Sequence, residues 1–287
     1  MKHVMVATDF SERSDRALRR ATLLARSIGA QMTLITAVDE DRPRRMVEEE
    51  KREAESLLRA MKMTLRDVDG IGCETRVLVA EPSQAIVEFA AEIAPDLLVL
   101  GPHRRQLFRD IFVGTTAERT IRNAPCPVLM VNAAPVAAYR NVLLATDLSK
   151  TSAHALNIYA KAALTTDVPH SVVHVFEAPM LQLATASALT QQEAKLYIED
   201  VKRDAARTLS SFMAAVGIGG AQPLLRQNTT AVNHEILAAA AEIDADLIVV
   251  ASKQRDGLER WLLGSMTERV LRDATVDVLV IPPMCAA

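Results

Sequence analysis

The 287-residue chain is 49% hydrophobic and 24% charged, which favours a packed core and fits two domains of ordinary size or one large α/β domain. The formal net charge of -3 includes no basic excess, so nucleic acid is not an expected partner. The three cysteines have no metal-ligand spacing, which predicts reduced thiols and no metal site. A charge occurs as early as Asp9, and no apolar run approaches the roughly 18 residues of a membrane span. We therefore expect a cytoplasmic protein without a membrane segment.

The first half of the chain alternates short apolar runs with helical patterns. A strand is predicted at Val4–Ala7, followed by a helix that Ser11 or Ser14 can cap and Gly29 ends. The alternation continues as a strand at Met32–Val38, a charged helix with Met46, Val47, Leu57, Leu58, Met61 and Leu65 on its inner face, a strand at Val77–Val79, a helix at Ser83–Ile93, a strand at Asp96–Leu100, a helix from Thr115 and a strand at Val128–Val131.

The second half repeats the first. Residues 4–18 (VMVATDFSERSDRAL) correspond to residues 142–156 (VLLATDLSKTSAHAL), and GTTAERTIRNAPCPVLMV at 114–131 corresponds to GSMTERVLRDATVDVLVI at 264–281. The second copy carries about a dozen extra residues, which we place after Pro179. A repeat of this length indicates a duplicated domain, not a solenoid.

The boundary between the copies lies in the short, Ala-rich stretch NAAPVAAYR. We therefore predict a first domain at residues 1–132, a linker at 133–140 and a second domain at 141–287. Alternating strands and helices predict a doubly wound parallel sheet of five strands in each domain, with the two sheets separate. We expect the last strands, Val128–Val131 and Val278–Ile281, to face each other about an internal pseudo-two-fold axis, and the whole chain to form a homodimer.

These repeated segments resemble the universal stress protein family. The resemblance rests on the Asp of VATDFS and ATDLS, on the DLLVLG strand, and on the G(S/T)xxER…PVLxV ending, and it covers nearly the whole chain twice. It implies an adenine-nucleotide α-hydrolase-like fold in a tandem, two-domain member. It also implies a role in the stress response.

Some members of this family bind ATP through a loop of the form G-x2-G-x9-G(S/T), whose last residues open a helix. The resemblance implies an early Asp near the ribose and the backbone at the end of the second strand near the base. The positions it assigns to a nucleotide site in this chain are Thr8, Asp9, Ala37, Gly101, Arg104, Gly114, Thr115 and Thr116 in the first half, and Asp147, Val175, Gly264, Ser265 and Thr267 in the second.

The loop spacing survives in both halves, but three of its six glycines do not. Arg104 replaces the middle Gly in the first half, and Ala251 and Gln254 replace two glycines in the second. A side chain at such a position takes up volume and restricts the backbone. Losing two or three hydrogen bonds to an anion predicts ATP binding no tighter than about 100 μM. If one half binds, we expect it to be the first, where Arg104 can supply phosphate charge.

The retained residues also have structural interpretations. Asp9 can cap the first helix or hold the strand-end loop instead of a ribose, and the Gly-Thr and Gly-Ser pairs can start helices without a ligand. No nucleophile elbow, HExxH or Walker motif appears, so no catalysis is expected. The leading hypothesis is a regulatory or interaction protein with degenerate nucleotide loops and no cofactor. The alternatives are a sensor of ATP, AMP or a related ligand that uses mainly the first domain, and a slow nucleotide hydrolase.

Overall fold

A computed structural model describes residues 1–102, 115–162, 164–165, 168–182, 190–252 and 263–283. Its strands follow the predicted alternation, and β3 begins four residues earlier than expected. The strands are β1 (His3–Ala7), β2 (Gln31–Val38), β3 (Cys73–Val79), β4 (Leu97–Leu100), β5 (Val128–Met130), β6 (Val142–Thr146), β7 (His170–Phe176), β8 (Gln222–Gln227), β9 (Leu247–Ala251) and β10 (Asp277–Ile281).

The helices connect successive strands and cover both faces of the sheet. They are α1 (Glu12–Ile28), α2 (Arg44–Asp67), α3 (Pro82–Ile93), α4 (Thr116–Asn123), α5 (Lys150–Ala162), α6 (Pro179–Gln182), α7 (Gln191–Val216), α8 (Val232–Glu242) and α9 (Ser265–Asp273). The short helix α6 begins the segment in which we placed the extra residues, and residues 183–189 of that segment lie outside the described part of the chain.

Each half forms five parallel strands, which confirms the predicted fold class. The first half has the order β3-β2-β1-β4-β5, and the second half repeats it as β8-β7-β6-β9-β10. All pairs inside a half are parallel, as helical crossovers require.

The last strands of the two halves pair directly, as predicted. Strands β5 and β10 are antiparallel, with Leu129 opposite Leu279 at the centre of a three-residue register. This pairing joins the halves into one ten-stranded sheet. The expectation of two separate sheets is therefore wrong, because a hydrogen-bonded contact between two edge strands necessarily makes the sheets continuous.

Two hydrophobic layers lie on opposite faces of the sheet, and each contains residues from both halves. One layer includes Leu58 of α2 and Leu209 of α7, and the other includes Ile86 of α3 and Ile236 of α8. The inner face predicted for α2 is only partly correct. Its buried residues are Ala54, Leu58 and Leu65, whereas Met46 and Leu57 are 51% and 41% exposed.

A buried carboxylate holds the junction between the halves. Asp277, fully buried at the start of β10, accepts a hydrogen bond of 3.0 Å from Arg20 Nε of α1 and one of 2.7 Å from the Tyr139 hydroxyl. It also accepts from the backbone N–H groups of Asn132 and Ala133. The Arg20 guanidinium lies 4.1 Å from the centre of the Tyr139 ring. One side chain of the second half thus binds a helix of the first half and the connecting segment.

Candidate functional site

The largest cleft that we describe opens at the carboxyl ends of β1, β2 and β4. The strand order reverses between β1 and β4, which is the position where open α/β sheets bind ligands. The cleft has a volume of about 470 Å³. Its lining residues are Ala7, Thr8, Asp9, Ser11, Arg13, Ser14, Ala37, Pro82, Ile86, Leu100, Gly101, Pro102, Thr116, Ala117 and Thr120.

Asp9 belongs to a tight turn that leads from β1 into α1. Its Oδ1 accepts hydrogen bonds from the Ser11 N–H and hydroxyl, while the Thr8 hydroxyl accepts one from Phe10 N–H at 3.0 Å. These bonds hold Phe10 at a φ of 59°, a left-handed conformation that is uncommon for a bulky residue. Ser11, not Ser14, is the N-cap of α1. The structural interpretation of Asp9 is therefore supported, and its Oδ2 remains available as an acceptor within the described residues.

The surroundings of Asp9 favour the charged carboxylate. Desolvation by neighbouring atoms would by itself raise its pKa, but the hydrogen bonds from Ser11 and Ser14 and the charge of Arg13 outweigh this effect. The pKa of Asp9 consequently lies below its ordinary value of 3.8. At neutral pH the group is an acceptor for hydroxyl or N–H donors.

Gly101 allows the first turn of α1 to approach the end of β4. A Cβ at this position would lie 2.8 Å from the backbone oxygen of Arg13 and 2.9 Å from its carbonyl carbon. Both atoms belong to backbone, so the clash could be relieved only by moving the start of α1. Gly101 is thus required by packing beside the cleft, whether or not a phosphate is bound.

Helix α4 contributes the opposite wall. Thr115 is its N-cap and accepts a hydrogen bond from the Glu118 N–H at 3.1 Å, and Thr116 lines the cleft. One turn further, Thr120 lines the same cleft and is fully buried, and its hydroxyl has no hydrogen-bond partner within the described residues. Buried hydroxyl groups are nearly always paired, so this one is an unused donor and acceptor in a residue beside the cleft, although its oxygen is itself buried.

The second half has a corresponding but smaller cleft of about 300 Å³. Asp147 repeats the turn of the first half, because its Oδ1 accepts from Ser149 N–H and from the Ser152 hydroxyl, and Leu148 has a φ of 62°. The residues lining this cleft are Ala145, Thr146, Asp147, Ser149, Thr151, Ser152, Val173, His174, Val175, Val232, Ile236, Ala251 and Met266.

Larger side chains narrow the second cleft. Val175 occupies the position of Ala37, Ala251 that of Gly101, and Met266 that of Thr116. Val270 takes the place of Thr120 and is buried, so the orphan hydroxyl has no counterpart. The two halves therefore share a backbone but not a binding surface.

The structure brings five of the first-half candidates together at one cleft and two of the second-half candidates at the other. Thr8, Asp9, Ala37, Gly101 and Thr116 line the first cleft, and Asp147 and Val175 line the second. At the start of α9, Gly264 is the N-cap, with a φ of 71°, and Ser265 is the first helical residue. Thr267 is buried and donates to the carbonyl of Ala251 at 3.1 Å. Arg104 and Gly114 lie outside the described residues.

Sequence reasoning missed Thr120 and the packing role of Gly101. Aligning the two copies of the repeat pairs Thr120 with Val270 and Gly101 with Ala251, and this difference was the available signal. No group of three metal-ligating side chains occurs within the described ranges. Of the helices that we describe, none is long and apolar enough to cross a membrane.

The fold and the paired clefts define a tandem α/β protein of the adenine-nucleotide α-hydrolase-like class. The family model of the universal stress protein family matches residues 1–132 and again 138–282. A universal stress protein of Methanocaldococcus jannaschii is 32% identical over 139 residues, which cover 45% of this chain and 81% of that protein. The chain belongs to the universal stress protein family.

Solved structures of similar length share the fold of the whole chain. A universal stress protein from Archaeoglobus fulgidus superposes with a TM-score of 0.74 at 20% identity, over 98% of both chains. A functionally unknown protein from Pseudomonas aeruginosa gives a TM-score of 0.71 at 20% identity, over 99% of this chain and 93% of that one. At this level of identity the similarity concerns the fold alone.

Proposed function

We propose that this chain is a non-catalytic stress-response regulator whose first domain binds an adenine nucleotide and whose second domain is its structural partner. The observation that carries the proposal is the unpaired hydroxyl of Thr120, whose oxygen is buried and whose residue lines the larger of the two clefts. This hydroxyl favours a nucleotide sensor that uses mainly the first domain over a regulatory protein that binds no ligand.

The end of β2 offers a backbone recognition site for a base. Ile35 accepts a hydrogen bond from Thr8 N–H at 2.9 Å, so its peptide groups face β1. The peptide groups of alternate residues in a strand face the same neighbouring strand, so the N–H and C=O of Ala37 point to the same side as those of Ile35. They lie beyond Ala7, the last residue of β1 that pairs with β2. A backbone N–H and C=O in this arrangement match the acceptor N1 and the donor N6 of adenine.

Two polar side chains of the first cleft could bind the ribose of a nucleotide whose base lies at Ala37. The Asp9 carboxylate accepts from hydroxyl groups, and the Thr120 hydroxyl can donate or accept. A ligand that satisfies Thr120 gains a hydrogen bond that the protein otherwise lacks. We therefore expect the nucleoside to supply most of the affinity, and AMP and ATP to bind with similar strength, because the loop has lost the middle glycine that would let its backbone approach a triphosphate.

The absence of catalysis remains a proposal. Within the described residues, the residues lining the first cleft include no histidine or cysteine, and Asp9 has a lowered pKa and is held in the turn. A carboxylate of lowered pKa is a poor general base near neutral pH. These features support a binding role over hydrolysis.

A Thr120→Val variant tests the proposal. We expect nucleotide affinity to fall about fivefold to tenfold, the loss of one hydrogen bond. The free energy of unfolding without nucleotide should stay equal or increase, because the hydroxyl has no partner to lose. Isothermal titration with AMP and ATP, paired with urea denaturation, measures both quantities.

Thr22→Val is the matched control. Thr22 is also a buried helical threonine, but its hydroxyl donates to the Leu18 carbonyl at 2.8 Å. This variant should lose stability and keep its affinity. The proposal fails if the wild type shows no binding at millimolar nucleotide, or if Thr120→Val binds as well as the wild type.

A further inference from the structure

The ten-stranded sheet ends in two edge strands, β3 in the first half and β8 in the second. Edge strands expose backbone N–H and C=O groups that can pair with another chain, and proteins commonly protect them. The two edges differ in whether such protection is present.

Strand β8 is protected by a proline. Phe176 is in register with Gln227, and its carbonyl accepts from the Asn228 N–H at 2.9 Å. In a parallel pair, a residue bonds to the residues before and after its register partner, so the peptide groups of Gln227 itself face away from β7. Alternation along β8 then directs the peptide groups of Pro223, Leu225 and Gln227 outward. Pro223 has no N–H to donate, which interrupts any further ladder on this edge.

Strand β3 has no such interruption. Ala80 N–H donates to the Val38 carbonyl at 3.2 Å, and Val38 is in register with Val79. By the same alternation Cys73, Thr75, Val77 and Val79 direct their N–H and C=O groups away from β2. Seven consecutive residues without proline therefore form an open edge.

The exposed charges on β3 are complementary to themselves. Glu74 and Arg76 are both exposed and, two residues apart, lie on the same face of the sheet. Charges of one sign would repel an identical strand and protect the edge. Opposite charges flanking Thr75 instead match an antiparallel copy of the same strand.

We propose that two copies of this chain associate through β3, antiparallel, with Thr75 opposite the partner's Thr75. In this register Thr75 forms a hydrogen-bonded pair with its copy, and Cys73 lies opposite the partner's Val77. Glu74 then faces the partner's Arg76 in the closer, non-hydrogen-bonded type of pair, and the two-fold axis makes this ion pair twice.

Apolar surface near this edge favours the same partner. Helix α2 packs on β3 and exposes large apolar side chains, with Met46 51% and Met63 56% accessible, and Val79 at the end of the strand is 40% accessible. Association along the edge would place the two α2 helices beside each other. The surface is separate from the nucleotide cleft, so the dimer does not depend on the proposed function.

Charge reversal tests both the edge and the register. The Glu74→Arg variant replaces both ion pairs of the proposed dimer with pairs of arginines. The Arg76→Glu variant replaces both with pairs of glutamates. We expect each single variant to raise the dimer dissociation constant about tenfold or more, whereas the double variant Glu74→Arg/Arg76→Glu restores opposite pairs and the wild-type constant. Gln222→Arg places the same charge on β8 as a control and should leave the dimer unchanged.

Sedimentation velocity across micromolar concentrations gives the mass, and urea denaturation confirms that each variant is folded. The expected wild-type mass is twice the 31.3 kDa of one chain. A monomeric wild type would overturn the proposal, as would single variants that dimerise normally. Single variants that dissociate, with a double variant that fails to recover, would contradict the register.

Discussion

At the scale of single residues, the two halves differ at the end of the strand that leads into the nucleotide loop. Gly101 leaves room for the Arg13 carbonyl, and its counterpart in the second half is Ala251. The sequence identified Gly101 through the nucleotide loop, but its close contact with α1 depends on tertiary packing that no local pattern contains. The unpaired hydroxyl of Thr120 could not be predicted from a local pattern either, because a threonine in a helix often donates its hydroxyl to a backbone carbonyl of the same helix.

We expect Gly101→Ala to destabilise the protein by about 1–3 kcal/mol, because the new methyl group forces the first turn of α1 away from β4. Nucleotide affinity should fall as well, since Asp9 and Ser11, which line the cleft, lie directly before that turn of the helix. Thermal unfolding and titration with AMP measure the two effects. The reverse change, Ala251→Gly, is the control and should cost less than about 1 kcal/mol. Equal losses in both variants would contradict this role for Gly101.

His170 should make stability depend on pH. Burial lowers its pKa below the ordinary 6.5, partly opposed by a hydrogen bond with the Val168 backbone, and Nε2 lies 2.8 Å from the Tyr159 hydroxyl. Because the folded state disfavours the charged imidazole, its contribution is present above pH 6.5 and is lost as pH falls through the folded pKa.

We therefore expect the free energy of unfolding to decrease as the pH falls below 6.5, and to decrease less in His170→Gln. Urea denaturation at a series of pH values measures this difference. An identical pH dependence in the wild type and His170→Gln would exclude His170 as the cause.

At the scale of elements, the apolar runs and helix caps of the sequence predicted the order of strands and helices well. Gly29 ends α1 with a φ of 66°, as its position indicated. The face of α2 was less predictable, because a long helix over an edge strand buries only a narrow stripe, Ala54, Leu58 and Leu65, and leaves other apolar residues exposed. The sequence also predicted the contact between β5 and β10, but not that this contact makes one sheet.

Asp277 is a buried polar connection between elements of the two halves. In Asp277→Asn the buried Arg20 loses its counter-charge, and we expect a loss of about 3–5 kcal/mol in the free energy of unfolding. Asp96→Asn is a matched control, since Asp96 also accepts from two backbone N–H groups, of Lys2 and His3, but is exposed. Denaturant unfolding should show a smaller loss there. Similar losses in both variants would mean that the buried charge pair is not the cause.

At the scale of the whole molecule, duplication has produced two domains with one backbone and different surfaces. The first keeps a cleft of about 470 Å³ with an unpaired hydroxyl, and the second, at about 300 Å³, is narrowed by Val175 and Met266. The two domains nevertheless form one packed unit, because each face of the continuous sheet carries one hydrophobic layer shared by the two halves.

The stoichiometry of nucleotide binding tests this division of roles most directly. Equilibrium dialysis of the purified chain against labelled AMP, at millimolar concentrations that saturate a weak site, counts the molecules bound per chain. We predict one nucleotide per chain, with the affinity reduced by Thr120→Val and unchanged by Val175→Ala in the second cleft. Two nucleotides per chain, or none, would contradict a single binding domain.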